Sequence, residues 1–148
     1  MSTSEKPDFV LETYIKTTPK QLWEALTDGE ITKHYFQGDA SLESSFEVGS
    51  DYVYTSGDGN KMLIGEILEA NPYTRLAMTF LPAFMERTEN LSHNVYEIEE
   101  LAETCKLTIS HFGVTPELQS VRNGWAKIAA RLKTYLESGE TLNLAEAG

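Results

Sequence analysis

Basic side chains are scarce in this 148-residue sequence: 12 Lys and Arg stand against 23 Asp and Glu, a formal net charge of −11. Nucleic acids and anionic lipid surfaces are held by clustered Lys and Arg, so neither is an expected partner. Long apolar runs are missing too. Nothing approaches the roughly 18 residues that a membrane-spanning helix needs, and no membrane insertion is expected. The opening MSTSEKPD lacks the basic-then-apolar order of a secretory signal. A single cysteine, Cys105, excludes an internal disulfide and cannot build a metal site alone. Its neighbours in TCKLTIS alternate as in a strand, which suits a small buried filler. Three scattered histidines with no cysteine beside them make zinc improbable, and no cofactor is expected. Gly-rich phosphate loops, nucleophile elbows and paired catalytic carboxylates are all absent. These absences leave the expectation of a cytoplasmic globular protein.

What is present is strongly patterned. In TPELQSVRNGWAKIAARLKTYLE, residues 115–137, the apolar Leu118, Val121, Trp125, Ile128, Ala129, Leu132, Tyr135 and Leu136 fall three and four residues apart. That spacing puts them on one face of a helix. Thr115 suits its cap, Pro116 its first position and Gly139 its left-handed terminator. A helix with such a face must cover something apolar. Earlier, Phe9–Ile15 reads as a strand, and Thr18-Pro19-Lys20-Gln21 as a capping-box start to a short helix carrying Leu22, Trp23 and Leu26. A second short helix, Glu30–Phe36, is expected before Gly38.

From residue 40 the period becomes two. Strands are expected at Ala40–Phe46, Ser50–Ser56, Lys61–Ala70, Thr74–Leu81, Ser92–Glu100 and Thr104–Phe112. Turn residues such as Gly57-Asp58-Gly59-Asn60 and Asn71-Pro72 separate them. Links this short imply an antiparallel meander. Leu76, Met78 and Phe80, then Asn94, Tyr96 and Ile98, then Cys105, Leu107, Ile109 and His111 each share one strand face. The opposite faces carry Thr79, Glu97, Glu99, Lys106, Thr108 and Ser110. A sheet with one dry face needs one cover, and the long helix has the right length.

The order of elements and the segments that fill it resemble the Activator of Hsp90 ATPase homologue 1-like (AHSA1-like) family of the START/Bet v 1-like (SRPBCC, helix-grip) superfamily. The resemblance rests on TPKQLWEALTD at 18–28, Gly65-Glu66-Ile67 with Asn71-Pro72 and Arg75-Leu76, SHNVYEIEE at 92–100, KLTISHFG at 106–113 and GWAKIAARLKTYLESG at 124–139. It implies an α+β helix-grip fold: a curved antiparallel sheet of about seven strands on a long C-terminal helix, with two short helices after the first strand. It also implies one domain over residues 9–139, between a flexible start at 1–8 and a tail at 140–148. The superfamily includes lipid carriers, hormone receptors and polyketide cyclases, so the fold does not fix the function.

Three readings stay open. The first is a binding protein holding a small hydrophobic ligand between sheet and helix. Its expected lining is Tyr54, Met78, Phe80, Tyr96, Ile98, Ile109, His111, Trp125, Ile128 and Leu132, with Phe84 and Met85 as a lid. The second is a protein-interaction module resembling the C-terminal domain of the Hsp90 activator, which would engage a chaperone; separately, the apolar loop with Phe84 and Met85 leaves a homodimer open. The third is a cyclase- or hydrolase-like enzyme with His111 and Tyr96 as acid–base groups. Against that third role stands the commoner one of a structural His bonded to a neighbouring group. Gly124, beside Trp125, marks either close approach of helix to sheet or room for a ligand.

Overall fold

The structure is a computed structural model that describes residues 6–82, 92–114 and 120–142. Its order is β1 (Phe9–Ile15), α1 (Pro19–Thr27), α2 (Gly29–Thr32), a 3-10 turn (Gln37–Asp39), then six strands and a helix. The strands are β2 (Ser41–Ser44), β3 (Asp51–Thr55), β4 (Lys61–Asn71), β5 (Arg75–Pro82), β6 (Ser92–Leu101) and β7 (Thr104–Phe112), and the helix is α3 (Val121–Ser138).

All seven strands form one antiparallel sheet, ordered β1-β7-β6-β5-β4-β3-β2. β2 to β7 make the expected meander. β1 sits beside β7, so α1 and α2 carry the chain from one edge of the sheet to the other. Register shifts between Tyr54 and Thr55 in β3, and between Ile67 and Glu69 in β4, interrupt the pairing there. Such bulges bend and twist their strands. Gly65 lets the sheet close tightly beside them. A Cβ there would stand 2.5 Å from the Thr79 carbonyl oxygen and 2.6 Å from the Tyr52 ring.

Thr18 caps α1 as expected, its hydroxyl accepting from the Gln21 N–H at 3.1 Å. The reciprocal half of the box is replaced: the Gln21 side chain accepts from the Thr17 hydroxyl instead. α2 is shorter than the pattern implied. It makes one turn and stops at Thr32, whose hydroxyl turns inward to donate to the Ala40 carbonyl and accept from the Leu42 N–H. A threonine that serves another segment in this way ends the helical run locally. α3 is assigned from Val121, and Ser120 at its start makes no side-chain cap. The expected cap Thr115, Pro116 and the first apolar position, Leu118, lie outside the described residues. Gly139 ends the helix left-handed at φ 79°, its N–H bonded to the Tyr135 carbonyl.

The alternation sorts the faces correctly. Leu76, Met78, Asn94, Tyr96, Ile98, Cys105, Leu107, Ile109 and His111 are all buried, packed under Trp125, Ile128, Ala129 and Leu132 of α3. Glu97 and Glu99 are exposed, and Arg75 bridges Glu69 and Glu97 across the outer surface at 2.8 and 2.6 Å. That face is not uniformly wet, however. Ala77, Val95 and Ser110, paired side by side on β5, β6 and β7, are buried there.

Candidate ligand-binding site

Trp125 sits at the centre of the interior. Its ring packs edge-on to Tyr96, Phe36 and His111 and tilts against Phe80, at centroid distances of 5.8 to 6.5 Å. Its indole N–H donates to His111 Nδ1 at 2.9 Å. An indole N–H can only donate, so Nδ1 must be the accepting nitrogen and the proton of the neutral ring lies on Nε2. His111 Nε2 is 3.2 Å from Ser92 Oγ, and the Ser92 hydroxyl in turn donates to the Phe80 carbonyl at 3.0 Å. The chain Trp125→His111→Ser92→Phe80 is therefore closed, with every donor and acceptor in it used.

Burial pushes the His111 pKa down to about 4, helped by the field of His93 and opposed by Asp8. A charged ring would also present an N–H to the Trp125 N–H. His111 thus has no lone pair left for a substrate proton. Tyr96, fully buried, has its hydroxyl pushed well above the usual tyrosine range by loss of water. As built, the two residues proposed as an acid–base pair are a structural link and a neutral phenol.

Tyr54 stacks on Phe36 at 4.0 Å. Its hydroxyl is raised well above its ordinary pKa, first by burial and then by the neighbouring Tyr96. The Tyr96 hydroxyl is close enough to act on it but not in good hydrogen-bond geometry, and Tyr54 Oη, like Asn94 Nδ2, is buried without a well-formed hydrogen bond among the described residues. Leaving such groups unpaired costs about 1–3 kcal/mol each, so this part of the core is polar and under-satisfied.

Beside Trp125 opens a cavity of about 250 Å³. Phe36, Gln37, Met62, Leu63, Phe80 and Pro82 line it from the connector and the sheet, and Val121, Gly124, Trp125 and Ile128 from α3. The structure brings Phe80, Trp125 and Ile128 together on this wall. It places Tyr54, Met78, Tyr96, Ile98, Ile109, His111 and Leu132 in the packed core instead. Phe84 and Met85 lie outside the described residues.

Seven lining residues were missed, and Met62, Leu63 and Pro82 are among them, at strand positions whose alternation does not tell a cavity wall from packed core. Val121 belongs to the same helical face as Trp125 and Ile128, and that spacing was signal enough. Phe36 and Gln37 sit in an aperiodic connector that carries no pattern. Gly124 meets neither expectation alone. A Cβ there would touch the Gln37 amide at 3.3 Å, not the sheet, and the residue borders the cavity.

The remaining residues lie away from the cavity. His34 stacks on Tyr135 at 5.0 Å, and Trp23 is part-buried against Tyr73. Cys105 is buried, its thiol donating weakly to the Thr17 carbonyl, and burial raises its pKa. Among the described residues, no helix is long and apolar enough to cross a membrane.

A seven-stranded antiparallel sheet closed over a C-terminal helix, with two short helices in the crossover, defines a helix-grip protein of the START/Bet v 1-like class. The chain belongs more narrowly to the family described as Activator of Hsp90 ATPase homolog 1-like protein, whose model matches residues 16–137. Solved structures of the same fold include protein MLL2253 from Mesorhizobium loti (20% identity, TM-score 0.72, 86% of this chain and 95% of that one). CalU16 from Micromonospora echinospora is similar at 16% identity and TM-score 0.71, covering 90% and 75%. So is the Aha1 dimer from Colwellia psychrerythraea, at 18% identity and TM-score 0.70, covering 88% and 96%. No curated protein matches the chain at a significant level.

Proposed function

We propose that the protein binds a small, largely apolar molecule in the cavity between the sheet and the N-terminal half of α3. The observation that carries this reading is the cavity itself, about 250 Å³ beside Trp125 with an almost wholly apolar wall. Space bounded by aliphatic and aromatic side chains favours apolar guests; an engineered cavity of about 150 Å³ takes up benzene. Phe80, Trp125 and Ile128 are the proposed contacts, with Tyr54, Met78, Tyr96, Ile98, Ile109, His111 and Leu132 as the packed support behind them. Native mass spectrometry of protein purified from its own host, followed by denaturing extraction, tests the idea. A stoichiometric small molecule is expected, and Ile128→Trp, which fills the cavity, should exclude it. Protein that arrives empty and takes up no apolar probe would overturn the reading.

A second reading rests on the family itself, described by activation of an Hsp90 ATPase, and on a structural relative described as an Aha1 dimer. It assigns the protein a cytoplasmic chaperone partner and self-association as a homodimer. Titration into an Hsp90-type ATPase at low salt should then change the rate, and sedimentation should show a dimer. A flat ATPase titration would remove this alternative.

A further inference from the structure

Among the described residues the cavity wall holds two side chains able to form a hydrogen bond with a guest: the Trp125 indole and the Gln37 amide. The indole N–H is already committed to His111 Nδ1 at 2.9 Å. The Gln37 amide has no hydrogen-bond partner among the described residues, and it rests against Gly124 with its nitrogen and oxygen 3.3 and 3.4 Å from where a Cβ would stand. Any larger residue at 124 would push it aside. Its backbone is pinned as well. Gly38, next in the chain, adopts φ 67°, and its carbonyl accepts from the Gly57 N–H at 2.8 Å.

Among the described residues no Lys, Arg, His, Asp or Glu lines the cavity, and the chain carries a net charge of −11. A carboxylate or phosphate guest would find no counter-charge and an unfavourable field. A cationic guest would find no carboxylate to pair with among the described residues of the wall. From this we infer that Gln37 is the specificity-determining residue of the site, reading the one neutral hydrogen-bonding group of a compact, otherwise apolar guest about the size of two fused rings. An amide both donates and accepts, so hydroxyl, carbonyl and carboxamide groups all qualify. The inference rests on the ligand-binding reading above and adds the polar character of the ligand to it.

Three probes of closely similar shape test it by isothermal titration calorimetry at pH 7: 2-naphthol, 2-methylnaphthalene and 2-naphthoate. The native protein should prefer 2-naphthol over 2-methylnaphthalene by about fivefold, as one net hydrogen bond at a partly hydrated site provides. It should bind 2-naphthoate most weakly. Gln37→Leu, at an exposed position where folding is not at stake, should leave the 2-methylnaphthalene affinity within about twofold and erase the preference. An unchanged preference in Gln37→Leu, or tightest binding of 2-naphthoate, overturns the inference while leaving the cavity reading intact. If none of the three probes binds the native protein, both fall together.

Discussion

The two halves of α3 lie on the same sheet yet are built for different ends. Toward its C-terminus the helix is clasped. Lys133 Nζ donates to the Tyr14 carbonyl, and Glu137 accepts from the Lys16 N–H at 2.9 Å while pairing with Lys133. Leu132 beneath is fully buried. Toward its N-terminus, Val121, Gly124, Trp125 and Ile128 face open space, and Trp125 is held from behind through His111. The first half is tied down too, by Arg122 donating to the Asp8 carbonyl at 2.9 Å above the Phe9 ring, so the lesson is that one helix can be anchored along its length and still keep one stretch of its buried face open. Fixing the clasp end holds the cavity wall in place without filling the cavity.

The largest test of this contrast is packing. Leu132→Ala removes a side chain surrounded on all sides and should cost about 3–4 kcal/mol in denaturant unfolding. Ile128→Ala should cost about 2 kcal/mol or less, because one side of Ile128 already borders empty volume and forfeits fewer contacts. Equal costs would mean that the two halves are packed alike.

Acid comes next, and it acts on the hydrogen-bond chain behind Trp125. The folded-state pKa of His111 lies near 4, below the ordinary 6.5, so the unfolded chain takes up its proton first. Stability from this group is complete above pH 6.5 and is lost as pH falls toward 4, by about 3 kcal/mol. His111→Gln should flatten that part of the pH–stability curve. An unaltered slope would show that the ring is not held neutral.

At the clasp, Glu137→Gln should cost under about 1 kcal/mol, since the pair is partly solvated and readily screened. The loss should shrink further in high salt and leave probe binding unchanged, which separates anchorage from recognition.

Much of the fold could be read from period alone. The alternation of Leu107, Ile109 and His111 fixed β7 to its residue limits, and the steps from Val121 to Leu132 found the apolar face of α3. The cavity was legible only where it borrowed those periods, at Phe80, Trp125 and Ile128. Whether a buried face packs solid or leaves a gap depends on how far apart two elements are held. The Phe36–Gln37 connector and Met62 and Leu63 of β4 border the gap here, and no local pattern marks them for it. His111 was placed toward the helix by its phase, but its partner lies 14 residues on, on an element whose rotation the sequence does not give.

The pairing of β1 with β7 joins Phe9 to His111, and the Asp8 N–H closes on the His111 carbonyl at 2.9 Å. Joining segments a hundred residues apart requires the entropy of a long loop to be lost before any contact repays it. The meander β2–β7, built from near neighbours, has no such delay. On this ground β1 should dock last; it carries the Tyr14 carbonyl that α3 grips, and the gripped Lys16 N–H lies just past its end. Weakening β1, as in Leu11→Ala, should speed unfolding while leaving the refolding rate nearly unchanged. The order of folding then has a spatial consequence: the open space beside Trp125 takes its final shape only once β1 and α3, far apart in the sequence, have met.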